Sequence, residues 1–165
     1  MVSKPIVLIG PMGVGKTTIG KKLARKLGLT FVDTDVLVSK EHGPIPEIFA
    51  TKGEASFRNF EEVAVSKALS EVQVVATGGG AVLSGNNQRE LEKAIVIYLS
   101  TNGLHMKSRL ANGNRPLLEN GIADWKRIYD ERKPLYENLC DFEVDCSAAS
   151  LSKTIAEICT KLEAL

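Results

Sequence analysis

The sequence predicts an α/β fold: a parallel β-sheet with helices on both faces. Three observations predict it. Short apolar runs alternate with stretches of helical period along the chain, the pattern of consecutive βαβ units. The first run, PIVLI at 5–9, is continuously apolar, as a strand buried on both faces requires. A glycine-rich turn then joins that run to the first helical stretch.

The elements follow in order. Residues 5–9 form the first strand. Residues 17–27 form a helix with Ile19, Leu23, Ala24 and Leu27 on one face, and Gly28 stands where a left-handed terminator is favoured. TFV at 30–32 is a second short strand. Residues 34–60 are long for a βα connection and read as a binding segment. Helical period runs from 54 to 70, VQVVA at 72–76 is a strand, 88–93 a helix, and AIVIYL at 94–99 a strand. Helices are predicted over 104–110 and 125–135, with Pro134 marking a bend or an end. Between them, residues 111–123 are rich in Gly and Asn, contain Pro116, and read as a lid. A short strand at 142–144 and a helix over 151–162 complete the chain. A length of 165 residues suits one domain, 1–165, without repeats or linkers.

Composition narrows the function classes. The net charge of +1, with 44% apolar and 25% charged residues, gives no global field for nucleic acid. The N-terminus lacks the pattern of a signal peptide, and no run is long enough to span a bilayer. The chain reads as cytoplasmic, without a membrane partner. No long apolar helix face demands a protein partner, so a monomer is expected. Cys140, Cys146 and Cys159 form no CxxC pair and suggest neither a disulfide framework nor a zinc site. His42 and His105 are isolated and read as surface or loop residues.

The glycine-rich turn is informative. Residues 10–17 match G-x-x-x-x-G-K-[ST] in full, after an apolar strand and before an amphipathic helix. Gly10, Gly13 and Gly15 let the backbone turn tightly, so that successive N–H groups cradle phosphate oxygens. The following helix N-terminus adds its positive end. Lys16 is placed for the β- and γ-phosphates, and the Thr17 hydroxyl for Mg²⁺. The nucleotide contacts expected here are Gly13, Val14, Gly15, Lys16, Thr17 and Thr18.

Other segments narrow the kind of nucleotide enzyme. No NKxD-type guanine-reading motif is present. The strand VQVVA is followed by Thr77 and the triple glycine Gly78, Gly79 and Gly80, not by the acidic pair of a motor ATPase. Carboxylates appear instead at Asp33 and Asp35, where the second strand ends on the ligand face of a parallel sheet. One suits Mg²⁺ and the other suits a proton from an acceptor hydroxyl; either can also cap a helix.

With these segments in view, the chain resembles the shikimate kinase family over nearly its whole length. The motifs are GPMGVGKTT at 10–18, DTD at 33–35, IFATKGEASFRNFE at 48–61, GGGAV at 78–82, NRPLL at 114–118 and ERKPLY at 131–136. The resemblance implies a three-layer α/β/α fold with a five-stranded parallel sheet, of the nucleoside-monophosphate-kinase type with a lid. It implies transfer of the γ-phosphoryl of ATP to the 3-hydroxyl of shikimate, with one Mg²⁺. It further implies that Thr17 and Asp33 hold the metal, and that Asp35 binds the acceptor hydroxyls and takes the proton. Arg58 and Arg132 clamp the substrate carboxylate, and Gly78, Gly79 and Gly80 offer backbone N–H groups. Arg115 approaches the transferred phosphate from the lid, and Arg109 is similar to the family arginine that stacks on adenine. Lys16, Asp35 and Arg115 are thus the expected catalytic residues.

The residue chemistry agrees with these roles. A planar guanidinium suits a carboxylate bidentately, and glycine admits close approach of a substrate to backbone. Gly113 and Gly121 flank the lid and suit hinges; Trp125, the only tryptophan, follows directly and is expected to pack there. Glu61 is expected to orient the clamp arginines, and Phe49, Phe57 and Phe60 to pack in the core or beside the substrate. Two other readings stay open at this point: a sugar-acid kinase such as a gluconate kinase, and a nucleotide-binding module without catalysis.

Overall fold

A computed structural model describes residues 1–111 and 115–165. Five strands, β1 (Ile6–Ile9), β2 (Phe31–Asp33), β3 (Val74–Ala76), β4 (Ile95–Ser100) and β5 (Phe142–Asp145), form one sheet in the order β2-β3-β1-β4-β5. Every pairing is parallel. Among the described residues seven α-helices accompany it: α1 (Lys16–Leu27), α2 (Thr34–His42), α3 (Ile45–Ala68), α4 (Gly85–Leu91), α5 (Met106–Leu110), α6 (Ile122–Leu139) and α7 (Leu151–Glu163).

The central strand shows why the sheet needs two helical layers. Ile6 and Leu8 of β1 pack with Leu23 of α1 and Ile155 and Ile158 of α7. Val7 and Ile9 point the other way, into a cluster with Val65 of α3 and Tyr129 and Tyr136 of α6. All four strand residues are essentially buried, each such side chain stabilising by about 1.5–3 kcal/mol. A third, smaller cluster of Val38, Ile48, Phe57 and Ala64 ties α2 to α3.

Register decides where the site lies. Leu8 of β1 and Asp33 of β2 both pair with Ala76 of β3. The segments that leave these strands (Gly10 onward, Thr34 onward and Thr77 onward) therefore emerge side by side at the carboxyl edge, where ligands of open α/β sheets bind.

Several expectations are corrected. Residues 34–60 are not an irregular connection: α2 and the first half of α3 fill them. Asp33 caps α2 by accepting from the Asp35 N–H, and Pro46 lies in the first turn of α3, where its missing N–H costs nothing. Gly53, at φ 84°, breaks α3 in two. Helix α6 does not end at Pro134; it runs on to Leu139. Pro134 and Asp130, whose carbonyl it leaves without a helical donor, are both exposed, so water can satisfy that carbonyl. Helix α4 starts earlier than the apolar period suggested, because the Ser84 hydroxyl accepts from Asn87 N. His42 lies on the surface as expected, where its ring stacks on Phe60 with centroids 3.6 Å apart. Gly113 lies outside the described residues. Gly121 takes φ 60° at the start of α6. Trp125 is buried beneath Gly103 and donates from Nε1 to Met12 O at 2.8 Å, so it braces the phosphate loop.

Candidate active site

The phosphate loop has the geometry that its glycines allow. Gly10, Gly13 and Gly15 take φ of 146°, 79° and 108°, conformations that disfavour other residues. A Cβ at Gly10 would stand 2.4 Å from Leu99 O, so the loop lies directly against the end of β4. The Lys16 ammonium donates to Gly10 O at 2.7 Å and Pro11 O at 2.8 Å. Burial pushes it down to about 8, against the pull of Asp35 and Asp33. Arg109 Nη1 donates to Gly13 O and Val14 O, both at 3.3 Å, so this arginine leans on the loop from α5.

The adjacent strand end supplies the acids. The Thr17 hydroxyl donates to Asp33 Oδ2 at 2.7 Å, and Asp33 Oδ1 accepts from Asp35 N at 2.9 Å. Two buried threonines hold the strand ends together: Thr34 donates to Ala76 O at 3.4 Å and Thr77 to Leu8 O at 3.0 Å. Asp35 is pushed above its ordinary value, first by burial and then by Asp33.

Three connected spaces run along this edge. A cavity of about 390 Å³ is walled by Asp35, Arg58, Glu61, Gly78, Gly79, Gly80, Arg115 and Arg132, with Phe49 and Phe57 on its apolar side. A cleft of about 220 Å³ lies over Lys16, Thr17, Thr18, Asp33 and Asp35 and shares Asp35, Gly78, Gly79 and Arg115 with that cavity. A third space of about 370 Å³ is bounded by Gly13, Val14, Gly15, Thr18, Arg109 and Cys146. The order along the edge is cationic cavity, phosphate cleft, outer pocket. Phe60 takes no part in the cavity wall.

The cavity is built tightly around its arginines. Arg58 Nη1 donates to Glu61 Oε1 at 2.9 Å and Nη2 to Glu54 Oε1 at 3.2 Å. Glu61 is 1% exposed, and burial raises its carboxyl while Arg58 opposes the rise. A Cβ at Gly80 would fall 2.4 Å from Arg58 Nη2, and one at Gly79 would stand 3.5 Å from Arg132 Nη1. The missing Cβ at Gly80 thus lets the loop lie directly against the Arg58 guanidinium, whereas one at Gly79 would make only ordinary contact with Arg132. Arg58 Nε, Glu61 Oε2 and Arg115 Nε are buried polar atoms that find no hydrogen-bond partner among the described residues, which suits a wall built to meet a polar ligand.

The nucleotide, acceptor and metal contacts expected from the sequence (residues 13–18, Asp33, Asp35, Arg58, residues 78–80, Arg109, Arg115 and Arg132) all line one or more of these three spaces. Sequence reasoning missed Tyr136, which donates to Gly79 O. It also missed Cys146, considered there only for disulfide or zinc patterns, which bounds the outer pocket. Its position just past the last strand was the available signal.

A phosphate loop at the head of a parallel sheet, joined through shared walls to a small cationic cavity, defines a P-loop kinase of small molecules. The family model "Shikimate kinase" matches residues 12–163, and the chain belongs to that family, ATP-dependent kinases that phosphorylate shikimate. A shikimate kinase of Thiobacillus denitrificans is 40% identical over 167 residues, covering 97% of this chain and 91% of the relative. One of Thioalkalivibrio sulfidiphilus is 42% identical, covering 93% and 84%. The solved shikimate kinase of Acinetobacter baumannii in complex with shikimate superposes with a TM-score of 0.91 at 33% identity, covering 98% of this chain and 93% of that one. Among the described residues no helix is long and apolar enough to cross a membrane.

Proposed function

We propose that this chain transfers the γ-phosphoryl group of ATP to the 3-hydroxyl of shikimate, giving ADP and shikimate 3-phosphate. One observation carries the assignment of roles. The cavity that holds Arg58, Arg132 and Asp35 meets the phosphate cleft at a wall of Asp35, Gly78, Gly79 and Arg115. An acceptor hydroxyl there stands between an acid and the phosphoryl group.

In this reading Arg58 and Arg132 bind the shikimate carboxylate, a bidentate match for planar guanidiniums. Asp35 accepts hydrogen bonds from the ring hydroxyls and takes the proton of the attacking oxygen as it bonds to phosphorus and the bond to the ADP oxygen breaks. Burial favours the neutral carboxyl, which makes Asp35 a stronger base than an ordinary aspartate. Lys16 and Arg115 meet the charge on the equatorial oxygens. Arg109 faces the outer pocket with Gly13, Val14 and Thr18 and contacts the nucleoside. The segment 34–60 shapes the acceptor cavity, and Arg115, Pro116 and Leu117 of the expected lid wall it and help exclude water.

The donor set also fits Mg²⁺. Thr17 Oγ1 and Asp33 Oδ2 are hard oxygen ligands brought together at 2.7 Å. Among the described residues no group of three or more His, Cys, Asp or Glu forms a dedicated metal cage. A hydroxyl and one carboxylate suit a cation that arrives with phosphate and keeps its waters. When bound, Mg²⁺ neutralises phosphate charge and aligns the γ-phosphoryl group. The working form we propose is a cytoplasmic monomer acting as one domain.

The test is product identity. Incubation with ATP, Mg²⁺ and shikimate, followed by phosphorus–proton coupling in the NMR spectrum of the product, is expected to place the ester on the 3-oxygen. Phosphate on another hydroxyl, or free phosphate alone, contradicts the reading.

A further inference from the structure

The Gly79–Gly80 peptide is gripped from one face of α6. The Tyr136 hydroxyl donates to Gly79 O at 2.5 Å, and Tyr136 is 1% exposed. Arg132, four residues earlier on the same helix, lies against Gly79. The phenol is itself fixed: its ring stacks on Tyr98 with centroids 5.2 Å apart, and the Tyr98 hydroxyl meets that of Tyr129 at 2.5 Å. Burial pushes the Tyr136 phenol up to about 12, so it stays a donor through the neutral range.

A trans peptide points its C=O and the following N–H in opposite directions, and no peptide bond among the described residues is cis. Tying Gly79 C=O to a phenol inside the core therefore turns the Gly80 N–H the other way. Gly79 and Gly80 belong to the wall of the cationic cavity, whereas Tyr136 does not. Among the described residues no protein acceptor takes the Gly80 N–H, and the Arg58 guanidinium lies against the Gly80 Cα. We propose that Tyr136 is a positioning residue for the acceptor, its hydroxyl holding the Gly79–Gly80 peptide so that the Gly80 N–H meets an oxygen of the bound acid next to Arg58. The proposal rests on the reading of this cavity as the acceptor site.

Tyr136→Phe keeps the ring and removes only the hydroxyl. The intact chain is assayed for ADP release while shikimate and ATP are varied separately, with melting temperature and the Gly80 amide resonance of labelled protein measured alongside. Loss of one neutral hydrogen bond predicts a shikimate KM higher by about three- to tenfold. The ATP KM should stay unchanged, and the Gly80 resonance of the ligand-free protein should move. A lower melting temperature with an unchanged shikimate KM overturns the proposal, because the hydroxyl then serves only the core. A parallel rise in the ATP KM overturns it as well. A wild-type protein that ignores shikimate sinks the acceptor reading; an unmoved Gly80 resonance in the variant then separately overturns the orienting role.

Discussion

The Thr17 hydroxyl donates to Asp33 Oδ2 at 2.7 Å, which links the first turn of α1 to the end of β2 across the mouth of the phosphate loop. Asp33 also caps α2 through its other oxygen, so one carboxylate fixes both the Thr17 hydroxyl and the helix that carries Asp35. Asp33→Asn keeps one oxygen to accept from Asp35 N, puts an NH2 that can only donate opposite the Thr17 hydroxyl, and removes the charge. The Mg²⁺ dependence of turnover is expected to shift to concentrations about tenfold higher, with the shikimate KM unmoved. A superimposable Mg²⁺ titration contradicts the assignment.

Asp35 carries a pH signature. Its folded carboxyl is raised above the ordinary 3.8 by burial and by Asp33. The native state therefore holds that proton more tightly than the unfolded chain. Stability from this group is greatest below the ordinary value and falls as pH rises through the raised one. Asp35→Asn is expected to melt higher than wild type near neutral pH, by about 2–4 °C per kcal/mol relieved. The gap should close in acid. Turnover should fall by about a hundredfold or more. Lower stability at neutral pH would show that Asp35 is held by partners that outweigh its burial.

Arg132 is buried against Gly79, and its planar fork is the feature that lysine lacks. Arg132→Lys is expected to raise the shikimate KM by roughly ten- to a hundredfold, the loss of a charge-assisted hydrogen bond. The ATP KM should stay put. An effect on ATP alone would move Arg132 to the other substrate.

Gly80 tests the packing of the clamp. Its backbone, at φ −97° and ψ 3°, admits any residue, so the effect of Gly80→Ala is purely steric. The added methyl would press on the Arg58 guanidinium 2.4 Å away. Shikimate affinity should fall steeply while melting temperature changes little. Gly85→Ala, whose nearest neighbour would be 3.9 Å away, serves as the control and should bind shikimate normally.

How much of this was legible depended on range. The phosphate loop could be read because one continuous apolar run, three glycines and Lys-Thr lie within 13 residues of sequence, positions 5–17. Arg58 and Arg132 could be read because local motifs carry them. Helix α2 could not. Its apolar residues split between a buried Val38 and an exposed Val36, and Gly43, Pro44, Pro46 and Gly53 punctuate the helices around it. Pro134 was read as a breaker because sequence does not show that its unpaired carbonyl faces water. The bonds that brace the site, Tyr136 to Gly79 and Trp125 to Met12, join positions 57 and 113 residues apart. Neither spacing nor composition signals such pairs; the parallel sheet brings them together.

The most direct test of the central claim is ADP release by the purified chain with ATP and Mg²⁺, alone and with shikimate, gluconate or a nucleoside monophosphate added in turn. Strong stimulation by shikimate alone is the result this account predicts. Equal or greater stimulation by another acceptor, or none by any, would contradict it.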